Sequence, residues 1–223
     1  MFRPKIAVSI ICLNSLERSQ KHYKFGQFDS YFVTDCGSTD GTRSFFEMNS
    51  ATVSLFTSCN EEIENETRLM DFSAARNYNL SQIPSDFDWI ISIDSDENLD
   101  QAVVDRIYKL CESTERDWFS VTIWNLDPSV KRPDGKPHIV YGCICRLFRN
   151  NKGFQYKYLI HERLDIPEKG TQDEVAKEIF IWHHGYSFKR PESNKHYYEL
   201  NLRQLELTPF SHRHCFFVYG FHK

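Results

Sequence analysis

The segment DWIISIDSDENLD, residues 88–100, carries an apolar run straight into Asp94, Asp96 and Glu97. Burying neighbouring carboxylates without partners costs several kcal/mol or more per ion, so the cluster must meet cations or water. If WIISID stays extended to its end, Asp94 and Asp96 project to one side of the backbone and Ser95 to the other, and the two acids can converge on one point. Two carboxylates on one point invite a hard divalent cation. A plainer role is also open, because acids near the start of the following helix favour its positive end. Asp94, Asp96, Asn98, Asp100 and Asp105 also match the acidic ligand spacing of an EF-hand loop. That reading fails because Leu99 stands where the loop needs glycine and because the incoming segment is β-branched rather than helical.

A second group lies in YFVTDCGSTDGT, where a strand ends at Asp35 and a Gly/Ser/Thr turn leads into a helix. An acid at a strand's carboxyl end can accept hydrogen bonds from a ribose or base, and such a turn lets a ligand approach the backbone. As an ordinary strand-to-helix turn the same stretch would use Ser38 or Asp40 to cap TRSFFEM. His212, His214 and Cys215, and Cys143 with Cys145, supply neither four zinc ligands nor a known spacing.

These groups need a frame to position them. KIAVSIICL reads as a fully buried strand, and SYFVT, TVSLFTS and WIISID as further short strands, each β-branched or aromatic and bounded by polar residues, with segments between them long enough for crossovers, so the first half is a parallel α/β sheet. LDQAVVDRIYKLCES places Val103, Ile107 and Leu110 at helical spacing. After Trp118 the pattern becomes antiparallel: WFSVTIWNL, HIVYGCICRLF and the alternating FQYKYLI, with turns at Asp134–Gly135 and Lys152–Gly153. SNKHYYELNLRQLEL reads as a last helix with Ser193 as its N-cap and Pro209 just beyond. Composition supports one globular domain: 223 residues, 40% hydrophobic and 15% aromatic. A formal net charge of -4 without a basic run offers no general attraction to nucleic acid. Seven scattered cysteines without a C-x-x-C point to a reducing compartment, and the N-terminal apolar run is too short to span a bilayer; a cytoplasmic location is expected.

IAVSIICLN, DCGSTDGT, DFSAARN and WIISIDSDE, in that order, resemble the family 2 glycosyltransferases of GT-A fold. RLFRNNKGFQYKYLIHERL and IWHHGYS extend the resemblance to the bacterial branch that includes lipopolysaccharide-core glucosyltransferases and sublancin-type peptide S-glycosyltransferases. The resemblance implies a Rossmann-like α/β fold with a mixed, mainly parallel sheet, an antiparallel acceptor-side part and a C-terminal helix. It places the catalytic domain in residues 1–190 and the truncated start of a tetratricopeptide-like region in residues 191–223. The implied reaction is metal-dependent, inverting transfer of a hexose from a nucleotide sugar, UDP-glucose or similar, to a saccharide or peptide acceptor. A lipid-linked acceptor would bring peripheral membrane contact without a transmembrane segment. On this resemblance Asp94, Asp96 and His183 hold Mn2+ or Mg2+. Asn14, Asp35, Arg76 and Asp94 bind the nucleotide, and Glu162 is the candidate general base beside Asp96. Cys36 stands where a second acid is common. Two other classes use similar parts: a nucleotide-sugar-binding protein without transfer activity, and a sugar nucleotidyltransferase. The latter should carry a Gly-rich phosphate loop after the first strand, and ICLNSLERSQKHYK has no glycine.

Overall fold

The structure, a computed structural model, describes residues 3–63, 65–131, 137–166, 175–184 and 191–208. Strand β1 (Ile6–Cys12) is buried throughout because it lies between β2 (Ser30–Asp35) and β6 (Trp89–Ser92), parallel to both. Its alternation feeds two cores. Ile6, Val8, Ile10 and Cys12 point to one face, and Ala7 and Ile11 to the other. A slip of one residue would exchange these sets and drive large side chains into the space that Ala7 and Ser9 occupy, so the register is specified by packing volume on both faces.

The first face is covered by α1 (Leu16–His22), α2 (Thr42–Met48) and α4 (Gln101–Ser113). Phe46 of α2 and Val103, Val104, Ile107 and Cys111 of α4 belong to that core. Leu110, expected inside, is only partly buried, and Val104 takes the buried place instead. The other face carries α3 (Phe72–Ser81). Asn79 locks α3 to the sheet: its Oδ1 accepts from Ser9 Oγ at 2.6 Å, and its Nδ2 lies 3.0 Å from Ile10 O, Phe32 O and Thr34 Oγ1.

Beyond β6 the sheet turns antiparallel. β9 (Pro137–Arg149) pairs with β6, and β8 (Trp118–Lys131) pairs with β9. β12 (Val175–His183) returns parallel to β8, and β7 (Glu97–Asn98) closes the edge. With β3 (Thr52–Leu55) on the far side, the described residues form a sheet in the order β3-β2-β1-β6-β9-β8-β12-β7. Two small hairpins stand apart: β4 (Asn60–Ile63) with β5 (Glu66–Leu69), and β10 (Gln155–Lys157) with β11 (Arg163–Asp165).

Three expectations are corrected. β6 ends at Ser92, and Glu97 N donates to Asp94 O at 3.0 Å, so the acids sit on a turn and not on an extended strand. The alternating segment after Phe154 is a strand only over residues 155–157, because Tyr158 (φ 84) and His161 (φ 54) take left-handed backbone and break the period. The last helix, α5 (Pro191–Leu207), starts two residues before Ser193, at a proline whose missing N–H costs nothing in a first turn. The turn near Gly153 is present, with Asn151 and Gly153 at positive φ. The Asp134–Gly135 turn and Pro209 lie outside the described residues. Among the described residues no helix is long and apolar enough to cross a membrane.

Helix α5 docks on two segments at once. Leu200 packs with Met70 and Ile160, His196 Nε2 donates to Leu69 O at 3.0 Å, and Gln204 Oε1 accepts from Leu159 N at 2.6 Å. One of these segments leads into α3 and the other into Glu162.

Candidate active site

The carboxyl ends of β1, β2 and β6 meet in a set of interlocked loops. Asn14 sits at φ 46, a left-handed conformation that asparagine tolerates. Its N–H donates to Ser38 Oγ at 2.9 Å, and its Oδ1 accepts from Thr39 N at 2.9 Å. Asp40 accepts from Leu16 N and Thr42 N, each at 3.0 Å, so it satisfies the first turn of α2 while tying it to α1. Asp35, almost fully buried, accepts from Ser38 N at 3.0 Å. Cys36 packs with Ile11, Cys59, Leu69 and Ala75, facing the protein interior.

The acid cluster finds its cations in two buried arginines. Arg76 Nη2 donates to Asp94 Oδ1 at 2.6 Å, its Nε to Glu162 Oε1 at 2.6 Å, and its Nη1 to Ser92 Oγ at 3.1 Å. Arg146 Nη2 reaches Asp94 Oδ2 at 3.1 Å and Glu97 Oε1 at 3.4 Å. The register explains both. Ile90 of β6 and Phe148 of β9 share the α3-side core, so Ser92 and Arg146, each two positions along, face α3 and Arg76. Burial works to raise the Asp94 pKa, but the Arg146 and Arg76 guanidiniums overcome it and hold the carboxyl well below the usual range. Glu97 is pushed up to about 7 by burial, with Arg146 opposing and Asp94 adding to the rise. Its Oε2 accepts from Asp94 N at 2.7 Å, which closes the turn.

Asp96 looks elsewhere. Its Oδ1 lies 3.7 Å from His183 Nε2 and its Oδ2 lies 3.5 Å from Arg18 Nη1. His183 is in register with Asn125 on β8 and Glu97 on β7, and its Nδ1 donates to Asn125 Oδ1 at 2.7 Å. That bond fixes the proton on Nδ1 and turns the Nε2 lone pair toward Asp96. His184 goes another way: its N–H donates to Asp96 O at 3.1 Å, and its ring stacks on His22 with centroids 3.8 Å apart.

Among the described residues no three acid, histidine or cysteine side chains group as metal ligands. The Asp96–His183 pair nevertheless fits a hard divalent cation, with one carboxylate and one oriented imidazole nitrogen, the remaining places being left to substrate oxygens and water. Asp94 as placed does not fit as a direct ligand, because both of its oxygens accept from arginines.

No protein-family model and no curated protein matches the chain. Solved structures do, among them S. aureus TarS 1-349, 12% identical with TM-score 0.52, and the same fragment in complex with UDP-GlcNAc, 12% identical with TM-score 0.53. The fold is GT-A. Each likeness covers 88% of this chain, which spans 63% and 64% of the two TarS fragments.

Within this GT-A fold Asp94, Arg76 and Glu162 form one ionic group and Asp96 and His183 a second, with Asn14 and Asp35 in the loops beside them. Sequence reasoning missed Arg146, Glu97's partnership with it, and Arg18. The signal for Arg146 is its position two residues before Phe148, legible only once β9 is known to pair with β6. Asp71 and Asp165, the other acids near Glu162 in sequence or space, are engaged: Asp71 caps α3 through Ala74 N at 2.8 Å, and Asp165 pairs with Lys157 at 2.5 Å. Cys143 is exposed and Cys145 half-buried on β9; His212, His214 and Cys215 lie outside the described residues.

Proposed function

We propose that the chain is a metal-dependent, inverting glycosyltransferase that moves a hexose from a nucleotide sugar, with UDP as the carrier, to a saccharide or peptide acceptor. The observation that carries this reading is the Asp96–His183 pair, oriented by Asn125, beside the buried Arg76 at the strand ends of a GT-A fold. The TarS fragment bound to UDP-GlcNAc supports the choice of carrier.

The roles follow from charge. Asp35 and Asn14 frame the loops that receive the nucleoside, with Asp35 accepting from its hydroxyl or N–H groups. Asp96 and His183 would hold Mn2+ or Mg2+, which when bound supplies Lewis-acid stabilisation of the leaving diphosphate. Arg76, held by Asp94 and Glu162, adds a fixed positive charge that needs no rearrangement as the phosphate gains charge. In a single displacement the acceptor oxygen or sulfur bonds to the anomeric carbon as the carbon–oxygen bond to the diphosphate breaks, and no sugar–protein bond forms. Glu162 takes the acceptor's proton; its contact with Arg76 uses Oε1, and the alternative oxygen serves as base. Arg146 keeps Asp94 and Glu97 in place and so acts on the reaction through Arg76.

Calorimetry and melting curves with UDP-glucose and UDP-GlcNAc, each with and without Mn2+, test the reading. Metal-dependent binding of one donor is expected, followed by acceptor-dependent release of UDP. Absence of nucleotide binding under all conditions removes it.

A further inference from the structure

Arg18 stands apart from the other two site arginines. Arg76 is matched by Asp94 and Glu162, and Arg146 by Asp94 and Glu97, whereas among the described residues Asp96 is the one carboxylate that Arg18 pairs with. Its side chain is 33% exposed, at the mouth of the site rather than inside it. Asp96 is therefore divided, with Oδ1 turned to a ligand-type nitrogen and Oδ2 to a cation. A divalent ion on Oδ1 and His183 would lie one carboxylate width from a guanidinium. Two like charges at that spacing repel, and a polyanion arriving at the mouth removes the repulsion by pairing with both.

We propose that Arg18 couples cation binding to diphosphate binding: it holds the affinity of the Asp96–His183 pair for a bare divalent ion down and makes the diphosphate the condition for tight capture. This rests on the glycosyltransferase reading, and it goes beyond it by giving a residue of α1 a role in the order of assembly. Because linkage is reciprocal, the factor by which UDP tightens Mn2+ equals the factor by which Mn2+ tightens UDP, and Arg18 contributes to both. Arg18 also steadies the Asp96 rotamer, and a purely structural role of that kind predicts the opposite sign, because losing it would weaken the metal site.

The test measures Mn2+ binding by calorimetry on the full chain, alone and with saturating UDP, for wild type, Arg18→Gln and Arg18→Lys. In Arg18→Gln, Mn2+ alone is expected to bind roughly threefold tighter or more, and the enhancement by UDP to shrink by a similar factor. Arg18→Lys keeps the charge and should stay near wild type. Mn2+ affinity that is unchanged or weaker in a folded Arg18→Gln protein overturns this inference alone. If wild type binds Mn2+ neither alone nor with UDP, the inference and the metal-dependent reading fall together.

Discussion

At the scale of single residues, the two acids that sequence spacing paired have different neighbours, and their substitution should separate cleanly. Asp94→Asn removes the carboxylate that Arg76 and Arg146 share, one of the three that face them among the described residues, and should destabilise the fold by about 3 kcal/mol in urea denaturation. Asp96→Asn loses contacts to a part-exposed arginine and a histidine, so its stability change should stay under about 1 kcal/mol. Its Mn2+-dependent binding of UDP should disappear. A stable Asp94→Asn protein, or an Asp96→Asn protein with full metal-dependent binding, would show that the roles are misassigned. Most of these residues were legible in the sequence, because DCGSTDGT, SAARN and SIDSDE keep chemistry and spacing together within a few positions. What could not be read is which acid faces which cation. That depends on the turn at Asp94–Glu97 and on Arg146 arriving from another strand, and neither leaves a local mark.

At the scale of elements, β1, β2 and β6 were readable because each is a short, largely apolar run that the structure buries. The strand beyond Phe154 was not, because two left-handed residues interrupt an unbroken polar–apolar alternation. The docking of α5 was likewise invisible, since His196 and Gln204 bond to backbone groups that carry no sequence signature. That docking should respond to pH. Burial lowers the His196 pKa, the bond to Leu69 O and Glu199 act to raise it, and Arg68 and Arg203 add to the lowering. With Nε2–H donated to Leu69 O, protonation falls on Nδ1, which is buried with no hydrogen-bond partner among the described residues. The unfolded state then binds more protons than the folded one. Stability is complete above the ordinary histidine range, near pH 6.5, and declines as pH falls from there toward the lowered folded value. Protection against hydrogen exchange over residues 196–208, corrected for the intrinsic pH dependence of amide exchange, should therefore fall as pH drops below about 6.5, and His196→Gln should flatten that dependence. Asn79→Ala tests the opposite face: it strips partners from Ser9 and three sheet acceptors at once and should cost on the order of 2–4 kcal/mol.

At the scale of the molecule, the site draws on β1, β2, α1, α3, the turn after β6, and β12, so ligand binding should be felt widely. UDP with Mn2+ at about a hundredfold excess over its dissociation constant should add roughly 2.7 kcal/mol to the unfolding free energy, and Asp96→Asn should abolish that gain. A ligand-induced rise in melting temperature that survives the substitution would place the nucleotide elsewhere. The sheet order has a further consequence, for the chain as it is made. The innermost strands are complete by Ser92, yet the open edge of β6 is covered only by residues 147–149 of β9, far along the chain. At roughly 5–20 residues per second, β6 waits several seconds on the ribosome with its hydrogen-bonding edge unpaired. A nascent chain stalled after residue 131 should accordingly bind chaperones and aggregate on release, while one extended past residue 149 gains the strand that shields it.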